Sequence, residues 1–237
     1  AMMEIPYSVD ELCEATVEII KKNNIKSCYI RPLAYYGYGQ MGVDPTGAPV
    51  DVIIAVWPWD AYLGEEALQN GIKVGVSSWR QRSFNAIPPA VKSSASYMNS
   101  ILAKKEATLH GYAEAIMLNE EGRVCEGTGE NIFVVRNGIL STPPLSDGLL
   151  EGITRDTILT LATDMDIPAI EESLTRSDLY IADEAFMTGS AAELTPINSI
   201  DDRVIGKRGP ITEQLQKRYF DVAYGKVPEY EDWITRF

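Results

Sequence analysis

The sequence predicts an α+β protein of two domains, and three observations support this. The chain has 237 residues, which is long enough for one large or two small hydrophobic cores. Amphipathic helix patterns and short apolar strand patterns occur in irregular order, and most of the strands follow one another as hairpins. That order favours an α+β fold over a doubly wound parallel sheet. Residues 59–64 have the pattern of a connection between lobes, so we expect domains at 1–60 and 61–237.

Composition excludes several classes of function. Lys and Arg total 21 and Asp and Glu total 34, so the net charge is −13, which argues against nucleic-acid or anionic-membrane partners. The longest apolar run, Val52 to Val56, predicts a buried strand rather than a membrane span. The three widely spaced cysteines argue against a disulfide framework or a zinc site and favour a cytoplasmic location. The single histidine, His110, fits the end of a helix better than a catalytic base.

Local signals predict the main helices and strands. A capping box at Ser8 and Glu11 opens a first helix, which ends at Asn23-Asn24. Apolar runs bounded by turn residues predict strands at 27–34, 51–57, 72–77, 113–118, 123–125, 132–135, 139–140 and 185–188. Further amphipathic patterns predict helices at 65–69, from Lys92 to about 109, after Gly152, at 178–182 and at 210–224.

Lys92 lies between a rigid loop and a predicted helix. Pro88 and Pro89 prevent helix formation before it, and Ser93 and Ser94 are candidate N-caps after it. The positive end of a helix dipole makes a nearby lysine lose its proton more readily, and such a lysine is a nucleophile toward carbonyl groups. A solvated lysine at a helix start is the simpler interpretation of Lys92 alone, so its function depends on the other motifs.

Two other segments carry residue types suited to ligand binding. Residues 126–131, Glu-Gly-Thr-Gly-Glu-Asn, combine two carboxylates with glycines that allow close backbone approach, although a simple loop also explains them. Alternation along the strand at 27–34 puts Tyr29 and Arg31 on one face. Arg31 is then either a surface charge or an arginine that grips a carboxylate through two hydrogen bonds.

Four segments share their order and spacing with one protein family: 89–92 (Pro-Ala-Val-Lys) followed by Tyr97 and Asn99, 126–131, 152–155 (Gly-Ile-Thr-Arg) and 188–193 (Thr-Gly-Ser-Ala-Ala-Glu). Together they resemble the class IV, or fold type IV, pyridoxal-phosphate aminotransferases. Residues 29–32 (Tyr-Ile-Arg-Pro) and 57–59 (Trp-Pro-Trp) with Tyr62 narrow the resemblance to the branched-chain amino-acid aminotransferases. The resemblance covers essentially the whole chain. It implies that 1–60 is the remainder of a small α/β domain and that 61–237 is a larger mixed α/β pseudo-barrel domain.

The resemblance implies a role for each cofactor-binding residue. Lys92 resembles the lysine that forms the internal aldimine with pyridoxal 5′-phosphate and then carries the substrate's proton. Glu126 resembles the carboxylate that keeps the pyridine nitrogen protonated, so that the ring can withdraw electrons. Tyr97 resembles the tyrosine that hydrogen bonds the cofactor's phenolic oxygen. Ile153 and Thr154 resemble the helix start whose backbone N–H groups bind the phosphate.

The substrate side follows from the same resemblance. Ser190 resembles a residue that adds a hydroxyl group to the phosphate site, and with Ala191 it offers backbone N–H groups to the substrate carboxylate. Tyr29, Arg31 and Tyr62 resemble residues of the apolar side-chain pocket. This pocket must also accept the γ-carboxylate of 2-oxoglutarate, which is where Arg31 is useful.

The resemblance favours transfer of the amino group of Leu, Ile and Val to 2-oxoglutarate. The sequence leaves open a D-amino-acid or (R)-amine aminotransferase, an aminodeoxychorismate lyase, or an inactive truncated fragment that binds no cofactor. Family members carry further residues before the point where this sequence begins, including an arginine that clamps the phosphate, so we expect that segment to be missing here. They also dimerise with a neighbour's loop beside the active site, which implies a homodimer or larger homo-oligomer as well as amino-acid and 2-oxo-acid substrates.

Overall fold

The computed structural model describes residues 3–39, 41–59 and 62–237, which divide into two compact units. Unit 1 comprises Ala1–Asp60 and Arg236–Phe237, and unit 2 comprises Ala61–Thr235. The predicted connection at 59–64 contains Asp60 and Ala61, and these two residues lie outside the described part of the chain.

Unit 1 contains one helix and one hairpin: α1 (Val9–Lys22), β1 (Tyr29–Tyr36) and β2 (Val50–Trp57). The predicted capping box opens α1, because the Ser8 hydroxyl accepts from Glu11 N at 3.2 Å and the Glu11 carboxylate accepts from Ser8 N at 2.7 Å. Strands β1 and β2 pair antiparallel, with Tyr29 opposite Trp57.

Unit 2 is built on one mixed sheet of nine strands, which run in the order β5-β4-β3-β10-β9-β6-β7-β8 with β11 beside β10. The strands are β3 (Ile72–Arg80), β4 (Glu114–Leu118), β5 (Val124–Glu126), β6 (Asn131–Arg136), β7 (Ile139–Thr142), β8 (Ala169–Glu171), β9 (Glu184–Gly189), β10 (Glu193–Ile200) and β11 (Arg203–Val204). The helices are α2 (Glu65–Asn70), α3 (Tyr97–Leu109), α4 (Ile153–Asp164), α5 (Arg176–Tyr180) and α6 (Pro210–Ala223). Short 3₁₀ turns occur at Ser94–Ser96, Leu145–Asp147 and Pro228–Trp233.

Two hydrophobic clusters lie on opposite faces of the sheet. Along β6, Ile132 and Val134 belong to one cluster, whereas Phe133 and Val135 belong to the other, as the alternation of a strand requires. Phe133 stacks on Phe186 of β9, with ring centroids 5.1 Å apart. Because both faces of the central strands are covered, consecutive residues of β6 and β9 are buried, rather than every second residue.

Two pairs of successive strands in the sheet are parallel and are joined by helices, so they depart from the predicted succession of hairpins. Strands β3 and β4 are parallel and are joined through α3, and β7 and β8 are parallel and are joined through α4. Strand β10 was also missed, because Pro196 lowers the strand signal of its segment. It lies between β9 and β3, and its pairing with β3 begins only at Ile197, so Pro196 does not need to donate to β3.

The start of the helix after Lys92 also differs from the prediction. Lys92 precedes the 3₁₀ turn Ser94–Ser96, and the α-helix begins only at Tyr97. The Ser93 hydroxyl accepts from Ala95 N at 3.3 Å, so Ser93 caps the 3₁₀ turn. Because the dipole effect is confined to the first turn of an α-helix, the predicted dipole activation of Lys92 is not supported.

Helix α3 packs on the sheet through its small residues rather than through its larger apolar side chains. Ala103 and Ala107 are buried against Ala115 and Met117 of β4, whereas the larger apolar side chains of Met98, Ile101 and Leu109 are exposed. His110 follows the last helical residue, as predicted, and its backbone N–H bonds to the carbonyls of the final turn.

Three further findings concern membrane-spanning helices, cysteines and clusters of metal-binding side chains. In 3–39, 41–59 and 62–237, no helix is both long and apolar enough to cross a membrane. Cys13, Cys28 and Cys125 are all free thiols. The same residues contain no cluster of three or more His, Cys, Asp or Glu side chains that could hold a metal ion.

Substitution of Gly209 tests how α6 begins. Its N-cap residue Gly209 contributes no side chain, and the Glu184 carboxylate instead accepts from Ile211 N at 3.2 Å and Thr212 N at 2.7 Å. A Cβ atom at position 209 would lie 2.1 Å from Glu184 Cδ. We expect Gly209→Ala to displace this carboxylate and to lower the free energy of unfolding by about 1–3 kcal/mol in urea denaturation.

The matched control is Gly42→Ala, since an added Cβ there meets no heavy atom within 4 Å. We expect it to change the free energy of unfolding by less than about 0.5 kcal/mol. Equal losses in the two variants would contradict the role given to Glu184.

Candidate active site

A carboxylate at the end of β5 lies at the centre of the candidate site. Both oxygens of Glu126 accept hydrogen bonds: Oε1 from Gln81 Nε2, and Oε2 from Leu150 N at 3.0 Å. Burial raises the pKa of Glu126 to about 7, while the Leu150 hydrogen bond and the charges of Arg82 and Lys92 act in the opposite direction. A cation bound close to Glu126 would therefore keep this carboxylate ionised.

Lys92 and Tyr97 lie next to each other near this carboxylate. Lys92 Nζ is 5.8 Å from the centroid of the Tyr97 ring. Lys92 is exposed, whereas Tyr97, the first residue of α3, is half-buried. The Lys92 charge also lowers the pKa of Glu126, so the amine is close enough to the carboxylate to interact with it electrostatically, and Tyr97 lies beside the amine.

A second set of charged groups lies behind Glu126. Glu130 is buried and accepts from Gly129 N at 3.0 Å. Burial raises the pKa of Glu130, and the nearby charge of Glu114 raises it further. Glu114 is fully buried, forms a 2.5 Å ion pair with Lys104 and accepts from the Thr128 hydroxyl at 2.7 Å. Burial therefore favours the protonated form of both carboxylates in segment 126–131.

Tyr62 belongs to the same group of residues. Lys104 Nζ lies 5.6 Å from the centroid of its ring. Burial raises the pKa of Tyr62 to about 12, and the charges of Glu130 and Glu114 contribute to the increase. The Tyr62 phenol is neutral at ordinary pH, as a tyrosine of unshifted pKa would also be, and its surroundings make ionisation still less favourable.

The segment before α4 is anchored from two sides. Asn131 Nδ2 donates to Leu150 O at 2.9 Å, and Leu150 N donates to Glu126. The N-cap residue of α4, Gly152, makes no side-chain capping bond, and a Cβ atom there would lie 2.0 Å from Asn131 Oδ1. A side chain here would have to displace the Asn131 amide, and with glycine in place the N–H groups at the start of α4 have no side-chain cap and are open to an anion.

The first two residues of α4 differ in exposure. Ile153 is 77% exposed, and Thr154 is 5% exposed. Their backbone N–H groups belong to the first turn, where no partner within an α-helix exists. This is the arrangement that the sequence analysis assigned to the phosphate.

Ser190 and Ala191 lie in the turn between β9 and β10, where Gly189 pairs with Glu193. Ser190 is exposed and Ala191 is half-buried. A Cβ at Gly189 would lie 3.4 Å from Gly129 O, so the start of this turn packs against the 126–131 segment. The structure therefore places the turn beside the residues that surround Glu126.

The candidate substrate residues of unit 1 contact each other on β1. Arg31 Nη2 donates to the Tyr29 hydroxyl at 3.0 Å, and the Arg31 guanidinium lies 5.1 Å from the Tyr29 ring centroid. Tyr29 also packs on Trp57 and Trp59, at centroid distances of 5.2 and 4.7 Å. Arg31 is thus held against an aromatic cluster on the face of β1 that the alternation predicted.

The sequence alone did not point to three residues that act on Glu126, of which two donate hydrogen bonds to it and the third, Arg82, acts through its charge. Gln81, Arg82 and Leu150 form no motif, and they lie far from Glu126 in the chain. The position of Gln81 in the loop a few residues after the strand predicted at 72–77 was the one signal that could have pointed to it.

A separate cavity of about 400 Å³ lies along β3 and α3, and none of the predicted site residues lines it. Its polar lining includes Ser77, Ser78, Glu106 and Arg176. Most of these groups already have partners: Glu106 accepts from Ser77 and Ser78, and Arg176 pairs with Asp201 at 2.5 Å. The cavity therefore plays no part in the chemistry assigned to Lys92.

Comparison with known proteins identifies the family. A family model described as amino-transferase class IV matches residues 1–200. The chain belongs to the class IV aminotransferases. This class IV aminotransferase is 51% identical to the branched-chain-amino-acid aminotransferase of Pseudomonas aeruginosa, and the match covers 98% of this chain and 76% of that protein.

Solved structures confirm the predicted fold of this class IV aminotransferase. The branched-chain aminotransferase of Thermoproteus uzoniensis with norvaline has a TM-score of 0.94 at 46% identity, covering 98% of this chain and 77% of that one. The branched-chain amino acid aminotransferase of Thermobaculum terrenum in its PLP-form has a TM-score of 0.93 at 39% identity, covering 98% of this chain and 76% of that one. These neighbours are fold type IV enzymes, so the expected mixed α/β architecture is correct.

The pKa of Glu126 predicts how stability depends on pH. In the folded protein this pKa is raised from 4.5 to about 7, so between these values the folded state keeps a proton that the unfolded state has lost. The free energy of unfolding of the cofactor-free protein must then fall as pH rises through this window. Urea denaturation at about pH 4.5 and about pH 7.5 measures the decrease in the free energy of unfolding between these pH values. We expect this decrease to be smaller in Glu126→Gln than in the wild type by on the order of 2 kcal/mol.

Glu130 has a pKa raised in the same direction, so some pH dependence will remain in Glu126→Gln. Glu120→Gln, at an exposed position in the turn between β4 and β5, is the matched control and should behave like the wild type. A pH dependence that is the same in all three proteins would show that Glu126 ionises normally.

Proposed function

We propose that this chain is a pyridoxal-phosphate-dependent transaminase that transfers the amino group of branched-chain L-amino acids to 2-oxoglutarate. The proximity of Lys92, Tyr97 and Glu126 in unit 2 carries the proposal, because it brings an amine, a phenol and a carboxylate to one location. Membership of the class IV family and the branched-chain relatives support this choice of reaction and substrate. The same relatives do not favour the D-amino-acid, (R)-amine or lyase alternatives.

The residues present fit pyridoxal phosphate. A carboxylate whose pKa is raised to about 7 is suited to a cationic partner, and Glu126 has both oxygens already oriented by neutral donors. The uncapped start of α4, kept open by Gly152, is suited to a phosphate dianion. Two further buried groups, Ser96 Oγ and Thr188 Oγ1, have no partner in the described residues and lie next in sequence to Tyr97 and Gly189.

Each cofactor-binding residue has a defined task. Lys92 would hold the cofactor through Nζ, and the same amine, when free, accepts a proton from the substrate α-carbon. Tyr97 would donate a hydrogen bond to the phenolic oxygen. Glu126 would keep the proton on the ring nitrogen, because an adjacent anion stabilises the charged form. When bound, pyridoxal phosphate supplies a protonated pyridine ring that withdraws electrons from the substrate.

The phosphate and the substrate would be bound by residues at the loops and helix starts. Ile153 and Thr154 would hold the phosphate through their backbone N–H groups, and Ser190 would add its hydroxyl group. Ser190 and Ala191 would donate backbone hydrogen bonds to the substrate carboxylate.

Each of the two units contains candidate residues for recognition of the substrate side chain. In unit 2, Tyr62 would contribute a neutral ring to the branched side chain, as its raised pKa allows. In unit 1, Tyr29 and Arg31 would receive the γ-carboxylate of 2-oxoglutarate, because a guanidinium held against an aromatic ring is well suited to grip a carboxylate. Unit 1 would then be the remainder of the small domain, and unit 2 the cofactor-binding domain.

The oligomeric state and the cellular location are proposed from the family and from the surface and composition of the chain. A homodimer or larger homo-oligomer fits the family, and the exposed apolar side chains of Met98 and Ile101 on α3 are available for subunit contacts. Three free thiols and an acidic surface fit a cytoplasmic enzyme that acts on small molecules.

The substrate proposal predicts a clear order of turnover rates. With 2-oxoglutarate as acceptor, L-leucine, L-isoleucine and L-valine should give glutamate with kcat/KM values at least about tenfold above those of D-alanine and an aromatic (R)-amine. Coupled detection of glutamate or of the released ketone measures each rate. A preference for D-alanine or for the amine would contradict the substrate assignment.

The role of Lys92 predicts a spectroscopic difference. The wild type should gain a visible absorbance band when pyridoxal phosphate is added, and Lys92→Ala should lack this band and lose at least about 10²-fold in turnover. Lys105→Ala, an exposed lysine on α3, is the matched control and should keep both the band and the turnover. A wild-type protein without the band would instead support the inactive fragment that binds no cofactor.

A further inference from the structure

Gln81 is buried directly after β3 and is fixed at three atoms. It is 4% exposed, and its backbone N–H donates to Leu118 O at 2.8 Å. Its side-chain Nε2 donates to Glu126 Oε1, and its Oε1 accepts from Arg82 N at 3.1 Å. Because Arg82 N can only donate and an ionised carboxylate can only accept, these two neighbours determine the orientation of the amide.

The two hydrogen bonds to Glu126 come from uncharged groups. Gln81 supplies a carboxamide N–H and Leu150 supplies a backbone N–H, whereas Arg82 and Lys92 act on Glu126 through their charges. A neutral donor fixes the direction of a carboxylate without cancelling its charge. A carboxylate can accept about four hydrogen bonds, so Glu126 still has capacity for a further donor.

We propose that Gln81 is a positioning residue, whose amide holds the Glu126 carboxylate in the orientation that binds a cationic ring nitrogen and leaves its negative charge available to that ring. This inference rests on the function proposed above, in which Glu126 faces the pyridine nitrogen of the cofactor. Gln81 acts through Glu126 and is assigned no contact with the cofactor. A purely structural role, in which Gln81 only supports the turn at Arg82, is the alternative to be distinguished.

The first experiment measures Glu126 in the cofactor-free protein. Gln81→Leu removes the donor at similar size, and the loss of a hydrogen bond to the ionised form should raise the pKa of Glu126 by about one unit. Gln81→Arg keeps a donor and adds a positive charge, so it should lower this pKa. Carboxyl ¹³C NMR titration, with Glu126→Gln to assign the signal, gives the values. An unchanged pKa in both variants would overturn the proposal.

The second experiment is a double-mutant cycle on the affinity for pyridoxal phosphate. We expect Gln81→Leu to weaken binding about tenfold in the wild type and to have no further effect in Glu126→Gln, because Gln81 acts through that carboxylate. An equal loss in both backgrounds would mean structural support alone and would overturn the proposal. If Gln81→Leu does not fold, Gln81→Met removes the same donor with an unbranched side chain.

The two experiments separate this inference from the proposed function. A wild-type protein that binds no pyridoxal phosphate would contradict the proposed function, whereas the NMR titration would still decide whether Gln81 acts on Glu126. If the wild type binds pyridoxal phosphate but the pKa of Glu126 is unchanged in Gln81→Leu, the role of Gln81 is rejected and the proposed function is not affected.

Discussion

The candidate site depends on the need to satisfy a half-buried carboxylate that is largely shielded from water. An unpaired ionised carboxylate in a protein interior is strongly unfavourable, so Glu126 must have hydrogen-bond donors. Its two donors, Gln81 and Leu150, come from segments that are distant in sequence. Asn131 then holds Leu150 from the other side, so this one carboxylate ties the loop after β3 to the end of β5, the start of β6 and the segment that leads into α4.

The buried charged groups near Glu126 also need partners, and they influence one another's ionisation. Glu114 is fully buried, and it is stabilised by the ion pair with Lys104 and by the Thr128 hydroxyl. Its charge makes ionisation of Glu130 less favourable, and both carboxylates raise the pKa of Tyr62. Because the Tyr62 phenol stays neutral beside these charges, its ring can contact an apolar side chain without burying an unpaired phenolate.

Some elements were predictable because their signals are local. The Ser8–Glu11 capping box opens α1 as expected. Strand β10 was not predictable, because a proline such as Pro196 has no N–H to donate and is unfavourable in a central strand. It is tolerated here because the pairing of β10 with β3 begins only at Ile197. The sequence predicted a helix between β3 and β4 but not their parallel pairing, because a long connection with a helix allows either strand direction until the pairing partner is known.

The sequence by itself determined the family, the order of most helices and strands, and the candidates Lys92, Tyr97 and Glu126, because each of these depends on residues that are neighbours in the chain or on motifs with fixed spacing. Only the tertiary structure decided that Lys92 precedes a 3₁₀ turn and that Gln81 and Leu150 hold Glu126. Hydrogen bonds between distant segments leave no periodic pattern in the sequence, since each needs a single donor and a single acceptor that meet only after the chain has folded.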